Sequence, residues 1–246
     1  MKVFATYNIK GGVGKTSAAV NLAYLAAQSG QRTLLWDLDP QGAASFMFQV
    51  RAAVKGGGKS LIRGKRELDD VIRGTVYDRL DLVPADFRYR HMDLALEQEK
   101  KPTRRLRRLL DPLAGEYDVV LLDCPPSVSL VSESVLHAAD LLVVPLIPTT
   151  LSLRTFDQLL EFVGEAGDPA PKVLAFFSMV DRRRKLHRET VERMVHRPDV
   201  AGAVVPQLSL VEQMAWRQAP LAAFAPRSSV AAAYAQLWAE VRARAA

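Results

Sequence analysis

A single cysteine, Cys124, occurs in the 246 residues. No disulfide can therefore close within the chain, and no cluster or zinc site can be built from its own thiolates alone. That usage fits a reducing, cytoplasmic compartment. No stretch of eighteen apolar residues occurs, and no apolar leader precedes the strand-like run Lys2–Tyr7. Neither membrane spanning nor export is indicated. Internal repeats are also missing, which sets aside solenoids and propellers.

What is present is the balance of a globular protein, 49% hydrophobic and 24% charged residues. The length suits one α/β domain over residues 1–246. A formal charge of +6 favours a polyanionic partner, and on charge alone nucleic acid and an anionic membrane are equally served.

Short apolar runs recur at Lys2–Tyr7, Arg32–Asp37, Leu80–Pro84, Asp118–Asp123, Leu141–Pro145, Lys172–Met179 and Ala203–Pro206. Segments of helical spacing separate most of them: Thr16–Gln28, Ser129–Ala138, Leu153–Val163 and Leu186–Val195. Continuous apolar strands alternating with helices predict a doubly wound, mostly parallel sheet with helices on both faces. The glycine-rich and basic stretch Arg51–Gly64 reads as a mobile surface loop. A second basic run, Lys100–Arg108, is expected to start a helix with Leu106, Leu109 and Leu110 turned inward. In Ser228–Arg244, a stripe of Val230, Tyr234, Leu237, Trp238 and Val241 predicts a closing helix packed on the sheet.

The chemistry concentrates in three places. Asn8-Ile-Lys-Gly-Gly-Val-Gly-Lys-Thr-Ser17 follows a strand and precedes a helix, the context of a phosphate-binding P-loop. Its glycines let successive amides converge on phosphate oxygens at the positive end of the helix. Lys15 is then placed for the β- and γ-phosphates, Thr16 for Mg²⁺, and Gly14 for close backbone approach. The general pattern does not explain Lys10. A second cation five residues before Lys15 repels it unless concentrated negative charge lies between them or a partner supplies one. The second place is Leu34-Leu-Trp-Asp-Leu-Asp-Pro-Gln-Gly42, which ends a buried strand with Asp37 and Asp39. The third is Val119-Val-Leu-Leu-Asp-Cys-Pro-Pro-Ser127, where Asp123 closes an apolar strand before a stiff Pro125-Pro126 turn. Strand ends of open α/β sheets face the ligand crevice. Cys124 reads as a packing residue.

Lys10 and Lys15 together resemble the deviant Walker A motif of the ParA/MinD family of P-loop ATPases. Asp123-Cys-Pro-Pro126, Val143–Thr150, Phe177–Arg182 and Ala225–Ser229 extend the likeness over nearly the whole chain. The resemblance implies an ATPase using ATP and Mg²⁺, with Lys10, Lys15 and Asp39 in catalytic roles. Lys10 would reach the phosphates of a second subunit, and Asp39 would orient the attacking water. Residues Lys10, Gly11, Gly12, Val13, Gly14, Lys15, Thr16 and Ser17 would bind nucleotide, with Met179 and Pro206 near the base. Thr16, Asp37 and Asp123 would form the metal site. As partners it implies a homodimer formed with ATP, non-specific nucleoid DNA, and a ParB-like or other activating adaptor without which turnover is slow.

Two departures shape the expectation for DNA. Partition ATPases of this family often carry arginines just after the proline matching Pro206, where this chain has Gln207, Leu208 and Leu210. The cluster Arg182, Arg183, Arg184 and Lys185 is the expected substitute, with Arg217 in reserve, while His187 is expected to be merely exposed. No helix-turn-helix extension precedes the P-loop and no MinD-like amphipathic tail follows the last helix, so operator reading and membrane docking are not expected. A MinD-like membrane cycle and a P-loop small-molecule ligase are the alternatives.

Overall fold

The computed structural model describes residues 1–51, 57–167 and 170–245. Eight strands form one sheet: β1 (Lys2–Thr6), β2 (Thr33–Asp37), β3 (Arg73–Gly74), β4 (Leu80–Val83), β5 (Val119–Asp123), β6 (Leu141–Leu146), β7 (Lys172–Val180) and β8 (Val200–Pro206). Their order is β3-β4-β2-β5-β1-β6-β7-β8, parallel throughout except the β3–β4 pair. The seven strands read from apolar runs are all present. The extra one, β3, is two residues long and carries no apolar side chain to announce it.

Central strands are apolar on both faces because both faces are covered. Val119, Val120, Leu121 and Leu122 of β5 are all buried, and each such side chain contributes roughly 1.5–3 kcal/mol of burial. One face packs α1 (Lys15–Gln28) and, late in the chain, α11 (Ser229–Ala245), joining Phe4, Leu35 and Leu121 to Tyr234, Leu237 and Trp238. The other face carries residues of α6 (Leu130–Ala138) and α7 (Thr150–Glu165), joining Tyr7, Trp36 and Leu122 to Val131, Val135 and Phe156. The remaining helices are α2 (Ala43–Met47), α3 (Gly57–Ile62), α4 (Met92–Leu96), α5 (Arg105–Leu110), α8 (Lys185–Met194), α9 (Ser209–Arg217) and α10 (Leu221–Phe224). Leu106, Leu109 and Leu110 face inward from α5, and the whole stripe of α11 is buried, as the spacing predicts.

The stretch 51–64 departs from expectation. Residues 52–56 lie outside the described residues, but the following glycines, Gly57 and Gly58, begin α3 and are buried rather than in a surface loop. Gly57 has φ +65°, and a Cβ on Gly58 would sit 2.8 Å from the Tyr89 ring. The glycines permit close packing against the 3₁₀ turn Phe87–His91, and Arg105 ties the helix end by donating to the carbonyls of Leu61 and Ile62. Glycine for close approach and glycine for freedom look the same in sequence.

At the outer edge of β8, the Gly202 amide donates to Glu240 Oε2 of α11 at 2.7 Å.

Candidate functional site

The C-terminal ends of β1, β2 and β5 lie side by side, since Thr6 and Asp37 are both register partners of Asp123. The three motifs of the sequence therefore converge on one sheet edge. Between β1 and α1 the chain turns through Gly12 (φ +69°) and Gly14 (φ +97°). Gly14 caps α1 without any side-chain acceptor, so the first amides of the helix stay available to a ligand. A Cβ at Gly14 would also lie 2.9 Å from Ser178 Oγ. The loop has the shape of an anion cradle, and the helix end adds its positive field.

Lys15 is buried, and its Nζ donates to the Lys10 carbonyl at 3.0 Å. Burial pushes its ammonium down, opposed by the charges of Asp123 and Asp39. Lys10 differs. It is exposed, and among the described residues its ammonium makes no hydrogen bond or ion pair within the subunit. Its backbone is nevertheless fixed, because its N–H donates to Asn8 Oδ1 at 2.9 Å while Asn8 Nδ2 donates to the Pro145 carbonyl at 2.8 Å.

Asp37 and Asp123 are fully buried. Asp37 Oδ2 accepts from the Ser45 amide at 2.8 Å and hydroxyl at 2.7 Å, and Asp123 Oδ1 accepts from Thr6 Oγ1 at 3.3 Å. The other oxygen of each carboxylate has no partner among the described residues. Burial, and then the neighbouring acids, hold Asp37 up to about 6 and push Asp123 upward. Thr16 and Lys15 act on Asp123 in the opposite sense. The orphaned oxygen of Asp123 near Thr16, with that of Asp37 on the neighbouring strand, makes a hard, oxygen-rich donor set, which suits Mg²⁺. Among the described residues no cluster of three or more His, Cys, Asp or Glu side chains forms a metal cage. A magnesium ion would accordingly need phosphate oxygens and water to complete its shell. Asp39 is partly exposed, and its Oδ1 accepts from the Gln41 amide at 2.9 Å.

Residues Gly11, Gly12, Val13, Gly14, Lys15, Thr16 and Ser17 line a cleft with Asp39, Pro126 and Met179. An adjoining pocket reaches from Gly14 and Ser17 to Met179, Pro206, Leu208 and Tyr234. The residues expected for phosphate and for base are thus neighbours. Met179 holds φ +55°, a strained backbone for a side-chain residue at the wall between the two. Cys124 is buried, its thiol pushed up by burial, in keeping with packing. A third, apolar hollow was not read from the sequence. It adjoins the first at Asp39 and Pro126 and is lined by Pro40 of the second motif together with Phe87, Tyr89 and Met92, whose segment carries no motif.

Arg182, Arg183, Arg184 and Lys185 are all exposed at the start of α8. They are partly neutralised: Arg183 pairs with Asp181 at 3.0 Å, Arg184 with Asp181 at 3.7 Å, and Lys185 with Glu189 at 3.5 Å. Asp181 is drawn down to about 2 by the Arg183 guanidinium. Arg217 lies on α9, stacked between the rings of Trp216 and Phe224. His187 corrects its expectation. It is buried, and its Nδ1 accepts from the Asp181 amide at 3.1 Å, so it organises the turn that presents the arginines.

The family described as an AAA domain matches residues 1–175. The chromosome partitioning protein ParA of Caulobacter vibrioides is 31% identical over 253 residues, covering 99% of this chain and 95% of the relative. The sporulation initiation inhibitor protein Soj of Bacillus subtilis is 30% identical over 249 residues, 98% of each chain. Among solved structures, cobyrinic acid a,c-diamide synthase from Mycobacterium smegmatis, with bound ADP and magnesium, superposes with a TM-score of 0.82 at 25% identity, covering 98% of this chain and 94% of that one.

Proposed function

Because the chain belongs to the ParA/MinD family of P-loop ATPases, we propose that it is a ParA-like positioning ATPase that closes into a dimer on ATP, holds DNA without regard to sequence, and lets go when a partner triggers hydrolysis. The observation that carries this reading is the contrast between the two lysines. Lys15 is buried in its own phosphate cleft, while Lys10 stands exposed at the mouth with no partner inside the subunit. An unpaired cation carried on a fixed backbone beside a site for a polyanion is suited to a second subunit's nucleotide.

In this scheme the amides of Gly11 to Ser17 cradle the phosphates, and Lys15 exchanges the Lys10 carbonyl for phosphate oxygen. Met179 and Pro206 border the base. Thr16 and Asp123 hold Mg²⁺, with Asp37 behind them, and the ion when bound neutralises charge on the phosphates. Asp39, partly exposed at the cleft with its Oδ1 held by the Gln41 amide, orients water for attack. Turnover is slow until an adaptor completes the site. Arg182, Arg183, Arg184 and Lys185 offer the phosphate-binding surface, with Arg217 a second point of contact. Their partial pairing with Asp181 and Glu189 lowers but does not cancel the positive charge.

The test is DNA binding and light scattering with and without ATP over a range of salt. We expect ATP-dependent dimers whose DNA affinity falls by about 0.9 log unit per log unit of salt for each phosphate contact. Replacing Arg183 and Arg184 with Glu should weaken binding and flatten that slope while dimers persist. Parental DNA affinity in that variant refutes the surface, and ATP-independent binding refutes the switch. A second reading has its own support in the 25% likeness to cobyrinic acid a,c-diamide synthase and in the hollow beside Asp39. A ligase would consume ATP only with an organic acid present and would be indifferent to Lys10.

A further inference from the structure

We infer that Tyr7 is a positioning residue that locks the turn after Asp123 in register with the phosphate loop. The inference rests on the ATPase reading above. Tyr7 is completely buried at the end of β1, one residue before the loop begins. Its hydroxyl crosses to donate to the Ser127 carbonyl at 2.8 Å, and Ser132 Oγ of α6 donates to the same carbonyl at 2.6 Å. The Ser127 amide meanwhile returns to the Pro125 carbonyl at 3.0 Å. The Pro125–Ser127 turn is therefore held at both backbone groups of its last residue, and one of the donors is the residue that joins β1 to the P-loop.

The neighbouring contacts show what the clamp registers. Pro126 lines the phosphate cleft, and a Cβ on Gly11 would lie 3.9 Å from its ring, so the turn rests against the loop without bonding to it. Asn8, the next residue, fixes the Lys10 amide and reaches the end of β6. Tyr7 and Asn8 thus tie the entry of the loop to two different strand ends. The phenol pays no ionic role here, since burial pushes its pKa up to about 12 and it stays a donor. A carbonyl shared by two hydroxyls loses only one of them in Tyr7→Phe, which keeps the ring and its packing.

Loss of one such bond is expected to raise local opening by about fivefold. Hydrogen exchange at the Ser127 amide, which is bonded to the Pro125 carbonyl, should accelerate by about that factor in Tyr7→Phe and again in Ser132→Ala, in protein without nucleotide. Where the turn must be in place for hydrolysis, kcat should fall by a similar factor with KM for ATP within about twofold. Tyr117→Phe is the comparison: it removes a 2.8 Å hydroxyl bond to Asp81 at the opposite end of the sheet, and should change neither quantity. Unaltered exchange in the turn of Tyr7→Phe overturns the inference, as does a kcat loss matched by Tyr117→Phe. Should the parent protein fail to hydrolyse ATP, the ATPase reading falls, while the exchange measurement still decides the clamp.

Discussion

Replacing Asp37 by Asn should stabilise the nucleotide-free, magnesium-free protein while weakening its use of the metal. Burial holds the Asp37 carboxyl at about 6, against an ordinary 3.8. The folded chain therefore binds more protons than the unfolded chain between those values. Stability is fully present below about pH 4 and is lost as pH rises through 6. A shift of about two units is about 3 kcal/mol by pH 7. Asn can still accept from Ser45, and it places an amide where the partnerless oxygen stood beside Asp123. At pH 7 Asp37→Asn should then melt roughly 6–12 °C above the parent. Between pH 7 and 5 the parent should gain about 1 kcal/mol on the variant, narrowing the gap by a few degrees. His187, whose pKa burial lowers, opposes this on acidification but is common to both proteins and cancels in the difference. The depressed Asp118, Asp181 and Asp199 lose their contribution only below the window. Melting curves of the two proteins that run parallel from pH 5 to 7.5 would refute the reasoning.

Lys15→Ala should weaken ATP by about 1.5–3 kcal/mol through loss of a charge-assisted contact, whereas Lys10→Ala should bind ATP normally and remain monomeric; calorimetry and size exclusion separate the two, and normal dimers of Lys10→Ala would end its assignment. Asp39→Ala should keep ATP and Mg²⁺ yet accumulate as a trapped dimer, so parental phosphate release would exclude it as the water-orienting group. Gly58→Ala should cost about 1–3 kcal/mol from contact with the Tyr89 ring, seen as a lower melting temperature, and no change would mean that α3 yields freely.

The strands and the three motifs that converge on the candidate phosphate site were legible because their signals are local. A buried strand closed by an acid, or glycines between a strand and Lys-Thr, needs no knowledge of distant residues. The failures involve partners far away in sequence. Gly57 and Gly58 pack against residues 88 and 89, about thirty positions on. His187 is buried because it caps the Asp181 turn, which nothing in a run of cations announces. Arg183 and Arg184 looked like free charges, yet Asp181 before them takes both. The hollow beside Asp39 draws on three separate segments, and the Tyr7 clamp joins residues 120 apart, so neither leaves a pattern along the chain.

The two rims of the sheet have a consequence for assembly. Open strand edges template the addition of further strands from other copies, and such growth answers to concentration rather than to a signal. Here one rim is β3, only two residues long, and at the other the Glu240 carboxylate occupies the Gly202 amide that an incoming strand would need. Fibre-like stacking through either rim is disfavoured before any nucleotide is considered. Copies of this chain are left to meet through side-chain surfaces, including the strand-end face that carries Lys10, where encounter can be made conditional on a bound ligand and undone by its chemistry.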